Sequence, residues 1–247
     1  MAPAQTSQAN NRLLSAEEYR DMLWHVSGAI DHVVWIYQSE MELRRLARES
    51  QRVYMAVNSD AGFWVPCTAC FQTTLFVSLH CLFEDGSDVF GVVRLLRETL
   101  RNPHLFSPEA LRAREAQATA IVEQKVLRAW KFDARSIRLL KREFAERKRV
   151  FDEIYRPIRH QVIAHSVVID KVALDELYGR TNLAQLGELL LFLRQLVKAL
   201  EDLYLNCNEP ILQGDLVSVK SRNVKGLQNV LQKVASFERE TPAGSVG

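Results

Sequence analysis

Residues 61–83 read AGFWVPCTACFQTTLFVSLHCLF, a run without one charged side chain. How this run is read decides the fold. As a helix it is long enough to cross a bilayer, and equally long enough to thread the middle of a helical bundle. Thr68, Gln72, Thr73, Thr74, Ser78 and His80 are spread through it, and Pro66 sits near its start. Its flanks, Asp60 and Glu84-Asp85, are acidic, so no basic loop marks an orientation across a membrane. Helices apolar on every side also occupy the cores of larger soluble proteins. The reading adopted is a buried central helix with no membrane contact, and membrane association through 61–83 is the weakest alternative.

Working outward, the neighbours are helical too. Ser15 with Glu18 three residues on forms a capping box, and apolar periodicity continues to about Tyr54, with Gly28 as a possible break. After 61–84 comes the turn Glu84-Asp85-Gly86-Ser87, with Ser87 as cap of a helix over 88–101 that Asn102-Pro103 ends. Ser107-Pro108-Glu109 opens the next helix, with serine at the cap, proline at the first position and an acid in the first turn. The helical pattern then runs to about Ser166, with a break near Phe132-Asp133. Thr181 or Asn182 caps an apolar helix to about Asn206, Asn208-Glu209-Pro210 stops it, and a last amphipathic helix covers 221–237. Only Val167-Val168-Ile169 could make a short strand. The expected fold class is all-α: a multi-helix up-and-down bundle over residues 15–237, packed around 61–84 and 183–205. Residues 1–14 and 238–247 are expected to be a disordered N-terminus and a flexible tail.

Composition agrees with a helical protein. Ten glycines and seven prolines in 247 residues leave long stretches free of either breaker. A net charge of +2 creates no whole-protein field for a polyanion, so any such signal must be local. The start, MAPAQTSQANN, has neither a basic region nor an apolar run and does not read as a secretory signal. Four cysteines are too few for a disulfide scaffold of this size, and a cytoplasmic location with reduced thiols is expected.

The local signal lies at 125–159, where twelve Lys or Arg face five Asp or Glu. Arg128, Arg135, Arg142, Arg149 and Arg156 recur every seven residues, a spacing that keeps them near one helix face. Ile137, Leu140, Phe144, Phe151, Ile154 and Ile158 take the opposite, core-facing positions. Glu143, Glu146 and Glu153 could screen the stripe as an ordinary solvated face. The one-signed excess also suits the phosphates of a nucleic acid, with Arg142, Arg149 and Arg156 as substrate-binding candidates.

The stripe leads into RPIRHQVIAHS, residues 156–166. Pro157 sits inside a helical pattern, where it removes a hydrogen bond and crowds the preceding turn, so it either kinks the helix or starts a new one. Arg159 and His165 are six residues apart, which on a helix is about 120° around the axis and about 9 Å along it. They do not meet directly across one helix, but long side chains can converge on a ligand. A second copy packed across a two-fold axis would bring two such sets into one cleft. Arginine with histidine, and no carboxylate pair, suits cleavage of an RNA phosphodiester. The 2′-hydroxyl is an internal nucleophile, histidine moves protons near neutral pH, and arginine holds the phosphate as charge grows on its oxygens.

At this point the sequence resembles a known family. RHQVIAH matches the HEPN-domain motif of arginine, a polar residue, a short spacer and histidine, and IYRPIRHQVIAHS after a long charged helix is similar to the abortive-infection, AbiU-type branch. The resemblance is strong over about 150–167 and looser over about 20–205. It implies an all-α bundle, commonly a homodimer with the motif lining the dimer cleft. It also implies a metal-independent endoribonuclease of the kind found in toxin–antitoxin and phage-defence systems. Carried over by position, Arg159 is the phosphate-contacting arginine, His165 the catalytic histidine and His160 the polar third member. RNA, a second copy and an antitoxin or defence-system protein are the expected partners, and no cofactor or metal is expected. Where one toxin branch carries a modifiable tyrosine two residues past the histidine, this chain has Val167, so that mode of silencing is not expected. The alternative is a non-catalytic helical module that dimerises and binds nucleic acid or a protein partner.

Other constellations are weaker. Cys67 and Cys70 form a C-x-x-C with only His80 and Cys81 near it in sequence, which reads as helix cysteines in a core. His25 and His32 share a spacing of seven but no acid completes a site. His104 beside Pro103 has no recognisable partner. The absence of a phosphate-binding glycine loop, a nucleophile elbow or a His-Glu-x-x-His sets aside kinase, hydrolase and zinc-protease readings.

Overall fold

The computed structural model describes residues 12–86, 89–115, 119–159, 179–216 and 222–237, with Val172 and Glu176 between. Among these residues every regular element is helical: α1 (Ala16–Glu49), α2 (Gln51–Ser59), α3 (Ala61–Phe83), α4 (Val92–Arg101), a 3₁₀ turn (Pro103–Phe106), α5 (Pro108–Arg114), α6 (Ala120–Arg128), α7 (Ala134–Val150), a π turn (Phe151–Tyr155), α8 (Arg156–Ile158), α9 (Leu183–Asn206) and α10 (Arg222–Phe237). The all-α bundle is the observed fold. Val167–Ile169 lie outside the described residues.

Local chemistry sets the boundaries. The Ser15 hydroxyl accepts the Glu18 N–H at 3.1 Å, and the Glu18 carboxylate accepts the Ser15 N–H at 2.8 Å, which completes the capping box. Helix α1 runs straight through Gly28, the possible break, because an isolated glycine only weakens a helix. It stops at Ser50, whose hydroxyl caps α2 through Val53. Ahead of α1, the Leu14 N–H already donates to the Asn102 side chain at 2.8 Å. Helix α4 begins behind Gly91, later than the expected residue 88. A Cβ at Gly91 would lie 3.0 Å from the carbonyls of Cys81 and Glu84, so glycine lets the chain turn tightly against the end of α3. Ser87 lies outside the described residues. Asp133 caps α7 and Asn182 caps α9 through side-chain oxygens.

The helix at the centre of the core is α9. Leu186, Leu190, Leu193, Leu196, Val197, Leu200 and Leu203 are at most 2% exposed, each contributing roughly 1.5–3 kcal/mol by burial. Helix α1 packs on both α3 and α9. Polar ties fix the register: Tyr19 with Thr99 at 2.7 Å, Tyr204 to the Ala16 carbonyl at 2.7 Å, and Arg194 with Asp31 at 2.7 Å.

The expectation of a fully buried α3 needs correction. By length and composition α3 could cross a membrane, yet only 22% of its most apolar window is buried. Leu75, Phe76, Leu79, Leu82 and Phe83 enter the main core, and Trp64 enters a smaller cluster with Leu43, Val53 and Leu231. The other face, with Phe63, Val65, Cys70, Thr73, Thr74, Val77 and Cys81, is exposed. The run carries no charge, but its apolar residues still follow a helical period on the C-terminal half, and that face is the one the bundle covers.

Candidate functional site

The candidate site lies where the C-terminal turn of α3 meets the junction of α7, the π turn and α8. Pro157 cannot donate a hydrogen bond and its ring crowds the preceding carbonyls. The helix responds with a widened turn over Phe151–Tyr155, in which the Arg156 N–H reaches back five residues to the Phe151 carbonyl. Kink or restart were the sequence-based options; the chain instead stays helical through a π turn. Aromatic packing holds that turn. Phe83 stacks on Phe151 with centroids 4.6 Å apart and on Phe144 at 5.1 Å, and Phe76 stacks on Tyr155 at 6.2 Å. The Tyr155 hydroxyl donates to the Asn182 carbonyl at 3.2 Å, and burial pushes its pKa up to about 12.

On this base sits a cleft of about 320 Å³ lined by His80, Phe83, Glu84, Asp85, Gly86, Lys148, Phe151, Asp152 and Arg156. Lys148 and Arg156 share one carboxylate, Asp152, at 2.5 and 3.3 Å. Arg159, half-buried just beyond α8, has no carboxylate partner among the described residues. The His80 ring packs 6.3 Å from Phe151, its Nε2 is 3.8 Å from Glu84, and its Nδ1 is sealed from solvent with no hydrogen-bond partner. Burial lowers the His80 pKa first, and the guanidinium groups of Arg159 and Arg156 lower it further against the opposing pull of Glu84 and Asp152. The end of a helix ordinarily favours imidazolium, so burial and the arginines prevail here.

Of the six site residues expected from sequence, Arg156 lines the cleft and Arg159 lies close enough to act on His80. His160 and His165 lie outside the described residues. Arg142 and Arg149 are exposed on α7, with Arg149 loosely paired to Glu153 at 3.8 Å. The five-arginine stripe does not lie on one helix. Arg128 belongs to α6, across the break at 129–133, and the π turn rotates Arg156 away from the line of Arg135, Arg142 and Arg149. A heptad count assumes unbroken α-geometry, which Pro157 and the Asp133 cap interrupt. The core-facing set is as expected: Ile137, Leu140, Phe144, Phe151 and Ile158 are buried, and Ile154 partly so.

His80 is the member the sequence reading missed. Its only signal is position, a lone imidazole one turn before the acidic pair Glu84-Asp85 on a helix that packs against the motif segment.

The cysteine reading also needs correction. Cys67 is half-buried, but Cys70 and Cys81 are exposed, because they fall on the face of α3 that the bundle leaves open. Cys207 is buried, at the left-handed end of α9. Among the described residues no group of three His, Cys, Asp or Glu could hold a metal ion. His25, His32, Val77 and Cys81 line a shallow apolar groove between α1 and α3 with Trp24 and Gly28.

No curated protein and no solved structure matches the chain. A protein-family model of the HEPN type, described as AbiU2, matches residues 14–224. That span runs from the residue before the α1 cap to the first turn of α10, and takes in α3, the π turn and the whole RHQVIAH motif. The chain therefore belongs to the HEPN-type AbiU2 family.

Proposed function

We propose that the protein is an endoribonuclease of abortive infection that cleaves RNA without a metal, at a composite site formed by two copies of the chain. The observation that carries this reading is the gathering of Arg156 and Arg159 at the end of the motif helix, where, among the described residues, Asp152 is the one carboxylate paired with either of them. In the reaction the RNA 2′-oxygen bonds to phosphorus as the bond from phosphorus to the 5′-oxygen breaks. One histidine takes the 2′-hydroxyl proton and another protonates the departing 5′-oxygen. His165 of each copy supplies one of these roles, His160 orients its neighbour or the substrate, and Arg159 stabilises charge on the non-bridging oxygens. The products are a 2′,3′-cyclic phosphate and a 5′-hydroxyl. Exposed Arg135, Arg142 and Arg149 on α7 give the RNA backbone a track towards the cleft.

The second copy covers the open face of α3. That face is uncharged, so two copies meet without repulsion, and it reaches Cys81, next to His80. Together with the Trp24–His32 face of α1 it offers one helix strip about 35 Å long and one about 13 Å long, each about 10 Å wide. That is on the order of 500 Å², the larger part of the ~800 Å² per partner of a stable dimer. Size measurement by light scattering checks it: wild type should run as a dimer and Val77→Arg as a monomer, and a dimeric Val77→Arg protein would remove this face from consideration.

The activity test is RNA cleavage in EDTA by wild type and by Arg159→Ala/His165→Ala, each checked for folding. Cleavage by wild type alone, leaving cyclic phosphate ends, is the expected result. Salt-sensitive binding by wild type with no product from a panel of RNAs would instead favour the non-catalytic binding module.

A further inference from the structure

We propose that the cleft between the end of α3 and the π turn is a second phosphate subsite, in which His80 and Arg156 hold a backbone phosphodiester beside the one that Arg159 contacts. The inference rests on the reading that the chain works on RNA, and assigns to it a residue outside the RHQVIAH motif.

Three observations converge. First, His80 is an imidazole that the fold leaves unfinished: its side chain is 12% exposed, and Nδ1 is buried without a partner. A buried polar atom in that state is costly unless a ligand or a proton change compensates it. Second, the cations of the cleft are under-neutralised. Lys148 and Arg156 divide a single carboxylate, Asp85 is engaged by Arg97 from α4 at 3.6 Å, and Arg159 adds a further positive charge. Among the described lining residues Glu84 is the one remaining acid, and it faces the imidazole at 3.8 Å, a contact that becomes an ion pair only when His80 is protonated. Third, Phe83 and Phe151 form part of the wall, and low-polarity walls strengthen attraction between an anion and the cations around it. The volume, about 320 Å³, lies at the small end of the ~300–1,000 Å³ range of ligand sites, with room for a phosphate and part of its sugar.

The arrangement couples binding to a proton. In the free protein, burial and the flanking guanidinium groups lower the His80 pKa and so disfavour its imidazolium form. A phosphate against Arg156 offsets those guanidinium charges and gives the imidazolium an anion to donate to, so the complex takes up one proton. Affinity then strengthens as pH falls between the His80 pKa of the complex and that of the free protein, by up to roughly tenfold per pH unit for one coupled proton.

The test follows the imidazole C–H resonances of the full-length protein by NMR as pH is varied. The His80 signal is identified by its loss in His80→Gln. Titrations are run alone, with inorganic phosphate, and with a 2′-O-methyl RNA pentamer that cannot be cleaved. The expected result is a free His80 that titrates below the ordinary histidine range, and an upward shift of about one pH unit or more with either ligand. A shift with phosphate alone overturns the assignment to a nucleic-acid backbone. No shift with either ligand overturns the subsite, and because this arm uses unaltered protein a misfolded variant cannot mask it. The RNase assay separates the two claims. Cleavage by wild type with a silent His80 removes the subsite and leaves the proposed activity, whereas a shifted His80 without cleavage does the reverse.

Discussion

Gly187, in the first turns of α9, is the position where the structure makes its sharpest energetic statement. A Cβ there would lie 2.6 Å from the Tyr37 hydroxyl oxygen and 3.2 Å from the ring carbon that bears it. The hydroxyl cannot simply swing away, because it donates to the Leu183 carbonyl at 2.9 Å and its ring is buried in the core. Gly187→Ala should gain about 0.5–1 kcal/mol from lower backbone entropy and better helix propensity. Against that stand about 1–3 kcal/mol for forcing a methyl into a packed interior and about 0.5–1.5 kcal/mol for displacing the tyrosine hydrogen bond. The net effect is a loss of roughly 1–3 kcal/mol. Tyr37→Phe alone should cost no more than about 1 kcal/mol, since the Leu183 carbonyl keeps its intrahelical partner. In the double variant the oxygen is gone and only the 3.2 Å contact remains, which a few tenths of an ångström relieve. The double variant should therefore be more stable than the sum of the singles by about 1–2 kcal/mol. Urea unfolding of the four proteins closes the cycle. A Gly187→Ala protein as stable as wild type, or two additive substitutions, would refute the argument.

Further outcomes follow from the same geometry. In monomeric Val77→Arg protein, Cys70 and Cys81 should react promptly with an aromatic disulfide reagent while Cys207 stays inert until unfolding. In wild type the α3 pairing should slow the first two, and equal rates in both proteins would count against that pairing. Replacing Arg135, Arg142 and Arg149 by Gln should reduce the slope of log affinity against log salt for single-stranded RNA by about 0.7 per lost phosphate contact, and an unchanged slope would place the RNA elsewhere. Because the folded His80 pKa is lowered, the unfolded chain takes up that proton first. Stability from this group is full above about pH 6.5, falls as pH drops below that value and levels off beneath the folded pKa. His80→Gln should flatten that part of a urea-midpoint profile between pH 7.5 and 5, and an identical profile would show that His80 is not buried neutral.

How far the sequence could be read differs by element. Caps were legible because they are local: Ser15, Ser107 and Asn182 each act through a side chain two or three residues from the amide they bind. The extent of α1 was not, since whether Gly28 breaks a helix depends on the packing around it. The arginine of the motif was legible as chemistry, and Arg156 through charge periodicity, yet the line of the stripe was not, because a π turn leaves no mark in a count of sevens. Helix α3 shows the limit most clearly. A charge-free run reports only that no charge is desolvated. Which face is covered depends on where α1, α4 and α7 lie, and that is a tertiary fact. His80 escaped for the same reason, since its partners come from α7, the π turn and α8, about seventy residues away in the chain.

Packing around the widened turn lets irregular backbone support the candidate site. A π turn has poorer hydrogen-bond geometry than an α-helix and would be a weak support for an arginine proposed to hold a phosphate if it stood alone. Here Phe151 and Tyr155, its first and last residues, are each 1% exposed. The stacks of Phe151 on Phe83 and of Tyr155 on Phe76 contribute about 0.5–1.5 kcal/mol per aromatic pair beyond burial. The Tyr155 hydroxyl reaches the Asn182 carbonyl, one residue before the Leu183 carbonyl that Tyr37 holds from α1. Two tyrosines from different elements therefore fix the start of α9. The chain is thus anchored in the described residues on both sides of the motif histidines, by the π turn before them and by this tyrosine pair after them. Loosening either anchor should move the arginines and the histidines relative to one another rather than unfold the bundle. Tyr155→Phe is accordingly expected to lower turnover more than stability, since it removes one hydrogen bond worth about 0.5–1.5 kcal/mol and leaves the aromatic stack intact.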